Sequence, residues 1–162
     1  MTVLSATPDR ENLTLVLVAE FAAPPEAVWR LWTDARRLER WWGPPTWPAT
    51  FTLLEPAPGG SARYFMTGPD GERAHGWWRF ADLDEPRSLE FEDGFADEHG
   101  EPATEPAPSR TRVVLDPRGP GTRMTITSSF ASAESLEQML AMGMLEGLSL
   151  AVGQMDDLLV PA

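Results

Sequence analysis

"APPEAVWRLWTDARRLERWWGP", residues 23–44, places two short helices directly after a strand. Pro24-Pro25 can open a helix, because a first-turn proline loses no hydrogen bond that the helix needs. Val28, Leu31 and Trp32 then follow at i, i+3 and i+4, one apolar stripe. Asp34 is a natural N-cap for a second helix over "ARRLERWW", which Gly43 and Pro44 stop. The preceding "NLTLVLVAEF", residues 12–21, is rich in β-branched residues and leucine and reads as a strand.

Beyond the helix stop, turn signals at Pro58-Gly59-Gly60, Pro69-Asp70-Gly71, Glu85-Pro86 and 117–121 divide the chain into short strands over 46–55, 61–67, 73–82, 87–93, 110–116 and 122–130. Their connections are too short for helical crossovers, so the sheet is expected to be an antiparallel meander. Alternation puts Trp78 and Phe80, Leu89 and Phe91, Val113 and Leu115, and Met124, Ile126, Ser128 and Phe130 on one face. Tyr64 and Met66 join them if Arg63 faces solvent. Residues 92–109 read as a long, acidic, Pro-rich loop. From Ser132 to about Leu159 the spacing predicts one long helix with a wide apolar arc, which suits burial on more than one side or a homodimer contact. Residues 1–11 read as an N-terminal extension, and 12–160 as one domain.

Composition narrows the function. The 13 basic residues, all arginine, face 25 acidic ones, and the net charge of -12 repels nucleic acid and anionic lipid surfaces. There is no cysteine, which excludes disulfides, thiolate catalysis and Cys-ligated metals. "MTVLSATPDREN" does not read as a signal peptide, and no stretch approaches the ~18 apolar residues of a membrane span. A cytoplasmic protein without membrane insertion is expected.

No phosphate loop, nucleophile elbow or zinc-helix motif is present, so no cofactor and no metal is expected. His75 has the parity of an outward residue. His99, in "DEHGE", lacks any ligand partner at metal-binding spacing. What stands out is the helix carrying Met139, Met142, Met144 and Met155, deformable and polarizable, with Gly143 and Gly147 among them. Those glycines fit either close packing of helix on sheet or a cavity between them. Tyr64, Ser128 and Gln154 are the polar groups available to orient a ligand, if they are not satisfied at the edge of the core. Trp41, Trp42 and Trp47 surround the helix stop, and at least one of the first two should be buried.

The order of strand, two short helices, meander and long helix resembles the α+β helix-grip fold of the SRPBCC (START and birch-pollen-allergen-like) superfamily. "APPEAVWRLWTDARRLERWWGP" resembles the N-terminal hallmark of its branch related to the activator of the heat-shock-protein-90 ATPase. "YFMTGPDGERAHGWW", "LEFEDGFADEHGEP" and "SAESLEQMLAMGMLEGLSLAVGQMDDLL" resemble the hairpin, acidic loop and final helix of its bacterial members. The resemblance implies a sheet of roughly seven strands gripping the last helix around a pocket for a hydrophobic small molecule. It places Trp41 and Trp42 at the pocket mouth, Trp78, Phe80 and Phe91 on the sheet wall, and Met139, Gly143, Met144 and Gly147 on the helix wall. Three functions follow as expectations. The first is non-catalytic binding of a hydrophobic or aromatic, lipid- or polyketide-like molecule. The second is a cyclase or hydratase using Tyr64 or His75, and the third is a protein-interaction or chaperone-activator module.

Overall fold

The computed structural model describes residues 2–104 and 107–159. Eight strands form one antiparallel sheet in the order β1-β2-β8-β7-β6-β5-β4-β3. The strands are β1 (Thr2–Asp9), β2 (Thr14–Phe21), β3 (Ala49–Leu54), β4 (Ser61–Thr67), β5 (Arg73–Asp84), β6 (Ser88–Ala96), β7 (Ser109–Arg118) and β8 (Gly121–Ser129). Between β2 and β3 lie α1 (Pro25–Thr33) and α2 (Ala35–Trp41); after β8 come α3 (Ala133–Ala141), α4 (Met144–Gly153) and α5 (Met155–Leu158). This is the helix-grip arrangement, a curved sheet with its helices on one face.

The local causes are those of the opening motif. Pro25 occupies the first helical position of α1, and the Asp34 carboxylate accepts from the backbone N–H groups of Arg36 and Arg37 to cap α2. Trp29, Trp32 and Trp41 are buried, and the Trp41 indole N–H donates to the Leu31 carbonyl at 2.8 Å, pinning one helix to the other. Sheet residues of a single parity meet them. Leu17, Ala19, Trp78, Phe80, Leu89, Phe91, Val113, Leu115, Met124 and Ile126 are all buried in one cluster. Trp78 stacks on Phe91 with ring centroids 4.3 Å apart, a geometry that adds to the burial of their area.

Four expectations need correction. The stretch expected as an N-terminal extension instead holds β1, because Thr2–Asp9 pairs along β2 and supplies an edge strand; the two short helices therefore follow the second strand of an eight-stranded sheet. The single long helix over 132–159 is three helices. Gly143 adopts φ +83, the left-handed conformation that ends α3, and α4 starts afresh from it. The acidic loop is shorter than 92–109, since β6 continues to Ala96 and β7 begins at Ser109. Strand β3 starts at Ala49 rather than 46, after a turn around Pro44–Trp47.

Candidate functional site

A pocket of about 300 Å³ opens between the sheet and the C-terminal helices, with one side toward solvent. Its sheet wall comes from β4, β5, β6 and β7, and its helix wall from α3 and α4. Of the residues expected at a site, Trp42, Tyr64, Met66, Met139, Gly143, Met144 and Gly147 lie in this wall. The others do not. Trp41, Trp78, Phe80 and Phe91 are fully buried beneath it in the core. Gln154 serves the fold instead, since its side-chain amide donates to the backbone carbonyls of Trp41 (3.2 Å) and Gly43 (2.7 Å), where α2 ends.

The glycines of the helix wall separate packing from cavity. A Cβ at Gly147 would meet no atom within 4 Å, and one at Gly143 would touch only the end of the Glu146 side chain, at 4.0 Å. Neither lets the helix approach the sheet closely; their missing side chains border open space. Gly76 is the opposite case, since a Cβ there would lie 2.5 Å from Cζ and Oη of Tyr64. The bare backbone of β5 thus lets the Tyr64 phenol lie across the sheet, stacked on Phe51 at 5.0 Å.

Asp93, Phe95, Ser109 and His75 also contribute to the wall. Asp93 carries the chemistry. Its Oδ1 accepts hydrogen bonds from the hydroxyls of Ser109 (2.9 Å) and Thr111 (3.2 Å), both on β7, while no side chain among the described residues donates to Oδ2. The accessible part of the residue lies in the pocket wall, and protein encloses the rest. Burial, the largest influence, pushes its carboxyl up to about 6, against the two hydroxyl donors, which favour the charged form. Tyr64 is shifted upward as well, first by burial and then by the nearby Asp93 charge, so its phenol stays protonated and available as a donor. The indole N–H groups of Trp42 and Trp78 lie close enough to the phenol to oppose that shift, yet neither reaches hydrogen-bond geometry.

Parity could have found Asp93. Leu89 and Phe91 face inward, and two further residues along β6 is Asp93; likewise Val113 leads back along β7 to Thr111 and Ser109. His75 follows its outward parity, with its ring packed on Phe65 at 5.7 Å. His99 is exposed beside Glu98, and no group of three or more potential metal ligands occurs among the described residues.

The curved sheet with helices on its concave face defines an SRPBCC-type helix-grip protein. The chain belongs to the family described as activator of Hsp90 ATPase homolog 1-like protein, whose model matches residues 22–160. It is similar to a protein of Arthrobacter aurescens solved by NMR, at 52% identity and a TM-score of 0.94, covering 98% of this chain and 92% of that one. A crystal structure of a Mycobacterium smegmatis protein shares 45% identity at a TM-score of 0.91, covering 99% and 98% of the two chains. A Rhodobacter sphaeroides protein at 24% identity shares the fold, with a TM-score of 0.84 and 98% of each chain covered. Comparison with curated proteins gives no match. No helix among the described residues is long and apolar enough to cross a membrane.

Proposed function

We propose that this protein binds an apolar small molecule in the pocket between the sheet and helices α3 and α4. The observation that carries this reading is the open space at Gly147, a half-buried position in the helix wall of the pocket, where a Cβ would meet nothing although the helix faces the sheet. Trp42, Tyr64 and Phe95 offer ring surface, and the methionines of α3 and α4 offer adaptable surface. The family description names activation of a chaperone ATPase, but the unexplained geometry of this chain lies in the pocket rather than on an outer face, so ligand binding takes precedence.

A second reading is favoured by one observation. Asp93 and Tyr64 stand on the same wall, one an acceptor whose Oδ2 has no side-chain donor among the described residues and the other a protonated donor. Such a pair could move a proton on a bound polyketide-like substrate, as a cyclase or hydratase requires.

A thermal-shift screen of apolar compounds on the wild type and a Gly147→Trp variant tests the binding reading. A ligand at 100 times its Kd stabilises by about 2.7 kcal/mol, which raises Tm by roughly 5–10 °C in a chain of this size. The wild type should show such shifts and the filled variant should not. Equal shifts in both would refute a ligand in this pocket. Turnover of a compound found this way, lost in Tyr64→Phe with binding retained, would select the enzymatic reading.

A further inference from the structure

We propose that the ligand is a lipophilic amine, held as its ammonium ion against Oδ2 of Asp93 with its apolar part among the aromatic and methionine side chains. This rests on the small-molecule reading and names the ligand's chemical class.

Among the described residues the wall contains one carboxylate and no arginine, and the chain has no lysine at all. An anionic ligand, such as a fatty acid, would therefore meet a like charge with no arginine in the wall to offset it, and the ring of His75 is packed on Phe65. A neutral ligand would leave the Asp93 carboxylate enclosed without a counter-charge, which is costly when water is displaced. An ammonium ion resolves both problems. Ser109 and Thr111 both donate to Oδ1, so in this wall residue Oδ2 is the oxygen without a side-chain donor among the described residues.

The rings add a second, independent preference. Trp42 and Tyr64 stand nearly perpendicular, at 89° with centroids 6.1 Å apart, and form a corner on the pocket wall. Phe95 lies on the same wall. Aromatic faces attract cations through their quadrupole, and more strongly where water is excluded. At long range, the chain's net charge of -12 concentrates cations and repels anions. The volume of about 300 Å³ is at the small end for ligand pockets, so the amine should carry one or two rings or a comparable alkyl group.

Three isosteres decide the matter by titration calorimetry at pH 7.5: 1-naphthylmethylamine, 1-naphthalenemethanol and 1-naphthoate. The amine should bind at least tenfold more tightly than the alcohol, and the acid should give no measurable heat. In Asp93→Asn the amine should weaken at least tenfold, while the alcohol should bind no more weakly than before. The ligand comparison on the unmodified chain holds even if the substitution disturbs folding. Alcohol binding equal to or tighter than amine binding overturns the amine but leaves the pocket reading intact. So does an amine preference that survives Asp93→Asn. No heat from any of the three, together with no hit in the thermal-shift screen, overturns both.

Discussion

Gly76 lies directly beneath the Tyr64 phenol, opposite it in the β4–β5 pairing, so close that a single methyl group would fall 2.5 Å from the hydroxyl oxygen. The ring cannot simply lift away, because Phe51 stacks on it. Gly76→Ala should therefore destabilise by about 1–3 kcal/mol, the usual cost of overpacking, although alanine is the better strand residue. Urea denaturation measures this. The same variant should weaken ligand binding by displacing the Tyr64 hydroxyl, whereas Gly71→Ala, in an exposed turn, should not affect binding.

Asp93 makes stability depend on pH in an unusual direction. Its carboxyl rises from 3.8 to about 6 on folding, so between these values the folded chain holds a proton that the unfolded chain has lost. The folded state is consequently favoured at low pH by this group. It loses up to ~3 kcal/mol as pH rises from about 4 through about 6, and nothing more above. Asp9 and Asp97, whose values are lowered by hydrogen bonds, act in the opposite sense, so the comparison must be with Asp93→Asn. The variant should be more stable than the wild type at pH 7, with the difference vanishing near pH 4 in denaturant titrations. A constant difference across that window would contradict the burial of a titrating carboxyl.

Gln154 should prove a structural residue. Trp41 ends α2, and a helix end leaves carbonyls without partners. Gln154 donates to that carbonyl and to the one at Gly43 from the junction of α4 and α5. Gln154→Ala should cost about 1–3 kcal/mol in urea denaturation, since it strips donors from acceptors in the interior. Gln154→Glu should cost at least as much, because it sets a carboxylate against two carbonyl oxygens. Ligand affinity should change little in either.

What the sequence revealed and what it hid follow from range. Periodicity is local, so the helix pair after the strand and the inward parity of Trp78, Phe80, Leu89 and Phe91 were legible residue by residue. Adjacent Trp41 and Trp42 point to different surroundings, as neighbouring residues at a helix end must, but which one enters the pocket depends on where β4 and β5 lie. Asp93 was hidden by composition: it falls where the strand read over 87–93 overlaps the acidic, Pro-rich loop read over 92–109, although the inward parity of β6 runs straight through it. Strand β1 was hidden because an edge strand is recognised by its partner, and "TVLSATPD" alone has little alternation. The reach of Gln154 across 111 residues to Gly43 could not be read from any window.

The two helix-wall glycines, equivalent by composition, should respond oppositely to the same substitution. Gly147 lies inside α4, and a Cβ there meets nothing within 4 Å. Gly147→Ala thus gains helix propensity and reduces the freedom of the unfolded chain without a clash, which should stabilise by about 0.5–1 kcal/mol. Gly143 has nearly as much space, but its φ of +83 is a conformation that an L-residue adopts only at a cost. Gly143→Ala should destabilise by about 1–2 kcal/mol, or else straighten the α3–α4 junction and shift Met142 and Met144 away from the pocket. Thermal denaturation of the two variants reads the signs directly. If both stabilised, the break at Gly143 would not be a requirement of the fold; if both destabilised, Gly147 would be packed against something and the pocket would not be open beside it.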